Sequence, residues 1–232
     1  MNNHPVSNFK PHYLGHRARM KEKFLANSGN ELTDYERLEM ILALAIPRKD
    51  VKPLAKELLR EFKTLAGVLY ADPEQLKDIP GIKQNSCYVF KLFTTTAQRL
   101  AQIEISNAPI LDKWEKLLDY CYLKLAQEKN EHFHVLFLNT RHQLISDEEH
   151  QKGTVNHTPI YPREILKRAL ILEASGVVLV HNHPSGDSKP SSEDIEHTRG
   201  LRDILKTSDI LIHDHLIIGK NGIFSFRQFG LL

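Results

Sequence analysis

Apolar positions recur with two different periods along the chain, and the change falls near residue 108. Before it, the spacing is helical throughout. Leu14–Asn27 reads as a basic helix. Thr33-x-x-Glu36 is a capping box that opens a helix with Leu38, Ile41, Leu42 and Ala45 on one face, and Pro47 ends it. Asp50 caps the next helix, with Pro53 in its first turn and Leu54, Leu58, Leu59 and Phe62 inward. Two short helices, Thr64–Ala71 and Asp72–Ile79, precede a tight turn at Pro80-Gly81, and Gln84–Ile105 follows as one long helix. Residues 1–13 have no apolar period and read as a loose tail.

After Asn107-Ala108-Pro109, read as a linker, strands enter. Asp112 is expected to cap an amphipathic helix through Glu128, burying Trp114, Leu117, Leu118, Cys121 and Leu125. His132–Asn139 alternates as a strand, with Gln143–Asp147 as its hairpin partner. Pro162 starts a helix over Arg163–Ala174, and Gly176–Val180 is a continuous apolar run of the kind found in central strands. Ser191 opens a helix to about Leu205, and Ile210–Phe226 returns as strands around an Asn221-Gly222 turn. The pattern predicts a small all-α module over residues 1–106 followed by an α/β domain over 109–232, an α+β chain as a whole.

Composition changes this picture little. The chain has 232 residues, 41% hydrophobic and 26% charged, which excludes disorder, collagen and a disulfide scaffold. Two cysteines, Cys87 and Cys121, point to a reducing compartment. The first residues, MNNHPVSNFKPHYLGHR, show no apolar core of a signal peptide, and the longest apolar runs (Met40–Pro47, Gly176–Val180) are too short to span a bilayer, so a cytoplasmic protein with no membrane partner is expected. An Asn156-His157-Thr158 sequon is discounted on the same ground. Net charge is +2, but it is divided: residues 1–108 carry 16 Lys and Arg against 12 Asp and Glu, residues 109–232 carry 15 against 17, and ten of thirteen histidines lie after residue 130. The front is mildly basic, whereas the back is acidic and rich in imidazole.

The chemistry concentrates in Val180-His181-Asn182-His183-Pro184-Ser185-Gly186 and Ser191-Ser192-Glu193-Asp194. His181 and His183 stand two apart at a strand end, so both imidazoles can face one metal ion. Pro184 and Gly186 turn the chain, and Asp194 arrives in the first turn of the next helix. Two imidazoles and a carboxylate leave zinc a fourth position for water, the pattern of a catalytic site. Ser191 and Asp194 also make a sound helix cap without any metal. His213-Asp214-His215 repeats the spacing with no helix-borne carboxylate after it, and reads as a structural or surface pair. No His-Glu-x-x-His helix, deaminase Pro-Cys-x-x-Cys or phosphate-binding glycine loop is present.

The spacing His181, His183, Ser191, Asp194 resembles the JAMM motif of MPN-domain metalloproteases. The flanking strings HFHVLFLNTRHQLI (132–145), Tyr161-Pro162-Arg163-Glu164 and His181-Asn182-His183-Pro184-Ser185-Gly186-Asp187 resemble the RadC family, over about Leu14 to Leu232. The resemblance implies a cytidine-deaminase-like MPN domain behind a helix-hairpin-helix-like module. It implies Zn2+ on His181, His183 and Asp194, with Ser191 donating to the developing oxyanion. It also implies an upstream glutamate, matched by Glu131, as proton shuttle, with Glu148, Glu149 and Glu164 as rivals. The activity implied is hydrolysis of a peptide or isopeptide substrate. The family's helix-hairpin-helix turn offers backbone N–H groups to DNA phosphates. Here the turn reads Ile79-Pro80-Gly81-Ile82-Lys83, with lysine in place of the second glycine. The front therefore reads as a helical packing module, with weak DNA contact at most through Arg17, Arg19, Lys21 and Lys23. A DNA-repair or recombination factor with a vestigial or structural metal site is the other reading.

Overall fold

The computed structural model describes residues 15–106, 109–152 and 161–232. The tail expected at 1–13, Asn107 and Ala108 of the expected linker, and the Asn156–Thr158 sequon lie outside them. The chain forms two compact units, residues 1–95 and 96–232.

The first unit is built from α1 (His16–Ala26), α2 (Asp34–Ala45), α3 (Lys52–Phe62), α4 (Leu65–Leu69), α5 (Pro73–Lys77) and the front of α6 (Gln84–Ser106). Each short helix has a local start signal. The Thr33 capping box with Glu36 is formed on both sides, Thr64 caps α4 and Asp72 caps α5, and Asp50 accepts from the Lys52 N–H ahead of α3. Leu38, Leu42, Ala55, Leu58, Val68, Leu76 and Phe90 make the core, joined by Ile79 and Ile82 on either side of Pro80-Gly81. Gly81 has φ +104°, which glycine adopts without strain. Two of the cations expected to meet DNA are spent inside the module: Arg17 donates to the carbonyls of Ile46 and Lys49, and Lys23 pairs with Glu36 at 2.8 Å.

The division between the units falls within α6, a dozen residues before the segment read as a linker. The end of that helix explains this: Ile105 is fully buried among Ile110, Leu117 and Cys121 of the second unit. Asp112 does not cap the next helix. It lies in a 3-10 turn, Ile110–Lys113, and α7 (Trp114–Leu125) starts behind it without a side-chain cap.

The second unit is a five-stranded mixed sheet in the order β2-β1-β3-β4-β5. Its strands are β1 (His132–Leu138), β2 (Leu144–Lys152), β3 (Gly176–Asn182), β4 (Leu211–Gly219) and β5 (Gly222–Ser225). β1 pairs antiparallel with β2 and β3, β3 runs parallel to β4, and β5 returns antiparallel. The parallel pair needs a crossover, which α9 (Ser192–Lys206) supplies; α8 (Pro162–Ile171) precedes β3. Helices cover both faces. α7 and the end of α6 pack on Leu136, Leu138, Val178 and Val180, whereas α8 and α9 pack on Phe133, Val135, Phe137, Val177 and Leu179. β1 and β3 are therefore buried along their whole length, β3 as its apolar run requires, β1 on both faces where its sequence reads as an alternating strand.

β2 continues five residues past the expected end at Asp147. Its acidic run does not break the strand because each carboxylate meets a partner. Asp147 meets Lys124, Glu148 meets Arg168, and Glu149 meets His132. No helix among the described residues is long and apolar enough to cross a membrane.

Candidate metal centre

β3 delivers His181, and the ladder runs one residue further, where the His183 N–H donates to the Ile218 carbonyl at 3.0 Å. The chain then turns at Gly186, φ +93°, and lies against the end of β4. Gly219 makes that approach possible: a Cβ there would stand 2.5 Å from the Gly186 oxygen. The loop ends at Ser191, which caps α9, and the first turn of α9 brings Asp194 over the strand end.

His181, His183 and Asp194 come together there. The two Nε2 atoms are 3.0 Å apart, and Asp194 Oδ1 lies 3.3 Å from His181 Nε2 while Oδ2 lies 3.6 Å from His183 Nε2. Two donors on a tetrahedral zinc, each at about 2.0 Å, are roughly 3.3 Å from one another. The three separations bracket that edge, so the residues fit such an ion without rebuilding.

The outer hydrogen bonds set the tautomers. Thr198 Oγ1 donates to the Asp194 carbonyl at 2.5 Å, so toward His215 Nδ1, 2.6 Å away, it can only accept. His215 therefore carries its proton on Nδ1, and its bare Nε2 accepts from His181 Nδ1–H at 2.8 Å. His183 Nδ1–H donates to the Asp187 carbonyl, also at 2.8 Å. Both Nε2 lone pairs are left facing each other and the carboxylate. That is the state a metal ligand requires.

A positive charge is favoured there: burial would raise the Asp194 carboxyl, but protons on His181 and His183 aimed at it outweigh burial and hold the group well below the usual carboxylate range, in the place a cation would take. Asp194 in turn raises His183 against its burial, with Glu131 adding to the effect. Burial pushes His215 well below the ordinary imidazole value and keeps it neutral.

Glu131 precedes β1. The ladder with β3 ends at Phe133–His181, beyond which the His132 N–H donates to Asn182 Oδ1 at 2.8 Å, and Glu131 lies near enough to His183 for its charge to act on the ring. The rival glutamates lie elsewhere. Glu148 is held by Arg168, Glu149 by His132, and Glu164 by Arg163. Ser191 reaches the site, but its hydroxyl donates to Asp194 Oδ2 at 2.6 Å, and its N–H donates to the same oxygen at 2.7 Å.

The second histidine pair, read as structural or surface, divides: His215 is structural, fully buried and bonded to His181, whereas His213 meets His142 edge-on. An irregularity in the β3–β4 pairing separates them: Val177 pairs with Ile212 but Val178 with Asp214, which leaves His213 in a bulge and sets His215 beside Leu179. Neither His215 nor Thr198 carried a sequence signal of its own.

A profile of the RadC-like JAB domain matches residues 111–231. A UPF0758 protein from Rhodobacter capsulatus is 46% identical over 213 residues, 92% of this chain and the whole of that protein.

Proposed function

The chain belongs to the RadC-like JAB domain family, and from that premise we propose that it is a zinc-dependent hydrolase of peptide or isopeptide bonds, with His181, His183 and Asp194 as the metal ligands. One observation carries the reading. Two imidazoles with their Nδ1 protons committed outward turn bare Nε2 atoms toward each other at 3.0 Å beside a carboxylate, an arrangement that repels in the absence of a shared cation. Zinc held there supplies a Lewis acid and lowers the pKa of water toward neutrality. Glu131, whose charge reaches His183, takes the proton of the attacking water and returns it to the leaving amine. Ser191 has one hydroxyl proton. It rests on Asp194 Oδ2 in the free site and turns to the substrate oxygen as negative charge builds there.

The test is a cleavage screen of peptide and isopeptide-linked substrates with the full-length protein. Cleavage should stop on chelation, return with one equivalent of zinc, and be missing from His183→Ala. Undiminished cleavage by metal-free protein would overturn the reading.

A further inference from the structure

We propose a second metal site on the opposite face of the sheet, formed by His132, His134 and Glu149 with Glu128 beside them, and taking a divalent ion of the zinc class. His132 and His134 alternate with Phe133, which shares the His181 face, so they point toward α7. Glu149 is the register partner of His134 on β2. Each of the three residues offers one ligand atom, and these atoms lie within 4.8 Å of one another. The strand grammar is that of the first site: two imidazoles at i and i+2, and a carboxylate from a neighbouring element.

The hydrogen bonds point to a ligand that the protein does not itself provide. His134 gives its Nδ1 proton to Asp147 at 2.9 Å, which leaves Nε2 as the coordinating nitrogen and makes Asp147 the group that orients the ring. His132 Nδ1 lies 2.8 Å from Glu149 Oε1. His132 is 8% exposed, and its buried Nε2 has no hydrogen-bond partner among the described residues, with Glu128 Oε2 3.6 Å away. Buried imidazole nitrogens are seldom left so.

The charges point the same way. Among the described residues, the charged groups that the two imidazoles contact are the carboxylates of Glu128, Asp147 and Glu149 and the ammonium of Lys124. Lys124 is engaged with Asp147 at 2.6 Å and with Tyr120, whose hydroxyl also donates to Asp147. That pair is neutral in itself, which leaves the carboxylates of Glu128 and Glu149 beside His132, at 3.6 and 2.8 Å, for a cation to share. Imidazole with carboxylate selects the zinc class over calcium or magnesium. The ion would join the chain just after α7 to β1 and β2. Glu149 is half-exposed, so this equivalent should bind more weakly.

The test reads metal directly and does not rest on the first site. Full-length protein is stripped with chelator and titrated with Zn2+, with stoichiometry by mass spectrometry and affinity by calorimetry. Wild type should take two equivalents. His183→Ala should keep the weaker one and show a zinc-dependent rise in melting temperature. Adding Glu149→Gln or His132→Ala to His183→Ala should abolish both the binding and the rise. Glu149→Gln changes a half-exposed side chain isosterically, so its result stands even where His132→Ala folds poorly. One equivalent in wild type, unchanged in Glu149→Gln and lost in His183→Ala, would overturn this proposal and leave the first site intact. Zinc retained in full by His183→Ala and lost by Glu149→Gln would support it while removing the basis of the hydrolase reading.

Discussion

His181 Nδ1 lies 2.8 Å from His215 Nε2, and this bond leaves Nε2 as the only nitrogen of His181 that can take a metal. The direction of the proton is inherited from Thr198, whose own proton goes to the Asp194 carbonyl. The helix that supplies the ligand carboxylate thus also fixes the tautomer of the strand-borne ligand. Thr198→Val keeps shape and removes the acceptor. Zinc affinity should fall by about 10- to 100-fold, the usual cost of losing an outer-sphere partner. His215→Gln should act in the same direction. Competition against a chromophoric chelator measures it, and unchanged affinity in both variants would show that the chain of bonds has no part in holding metal.

The two histidine pairs should separate cleanly. His183→Ala removes a ligand and should lose the tightly bound equivalent of zinc. His213→Ala removes a ring set edge-on against His142 and should keep it. Metal content of the two purified proteins, side by side, decides this. Equal loss from both would mean that His213 reaches the ion.

Glu131→Gln preserves size and hydrogen bonding but cannot accept a proton. The variant should hold zinc with wild-type stoichiometry, while its single-turnover rate on any cleavable substrate should fall by about 10²–10⁴. Asp194→Asn should lose metal and activity together. A Glu131→Gln enzyme at the parental rate would remove Glu131 from the proton transfer.

The convergence of His181, His183 and Asp194 was legible because each rests on a local rule. Period two puts both imidazoles on one face, the capping box fixes where α9 starts, and the first turn of a capped helix has a known position. His215 was illegible because its place depends on a bulge at His213, and period-two counting put the two histidines on the same footing. β2 was cut short for a related reason. The run Asp147, Glu148, Glu149 looks like a loop until Lys124, Arg168 and His132, all distant in sequence, come to meet it. The central place of β3 followed from its apolar run. Asp112 failed as a cap because Ile110 is buried and draws the chain into a 3-10 turn first.

Ser191 serves two ends. Its Oγ accepts from the Asp194 N–H at 3.1 Å as a helix cap and donates to Asp194 Oδ2. Ser191→Ala should cost about 1 kcal/mol of stability through the cap. Zinc should remain stoichiometric at saturating metal, since Oδ1 is untouched. The cleavage rate should fall by about 10²–10³, as for one oxyanion donor. Denaturant titration and single-turnover kinetics separate the two effects. A stability loss with no rate loss would confine the serine to capping.

Asp147 should govern acid stability. Burial would raise its carboxyl, but the hydrogen bond from His134 and the charge of Lys124 outweigh burial and hold it below the ordinary carboxylate range. A depressed folded value means that the unfolded chain binds the proton first as pH falls. The stabilisation is therefore fully present above the unfolded value, near 3.9, and is lost as pH drops below it toward the folded value. Asp147→Asn removes that dependence: its stability should fall less steeply than wild type below about pH 4. At neutral pH the variant should be less stable by about 1–3 kcal/mol, because Lys124 and Tyr120 lose the carboxylate they share. The comparison belongs in chelator, so that no bound metal contributes. Parallel acid-unfolding curves for wild type and Asp147→Asn would show that the low carboxyl value has no counterpart in the folding equilibrium.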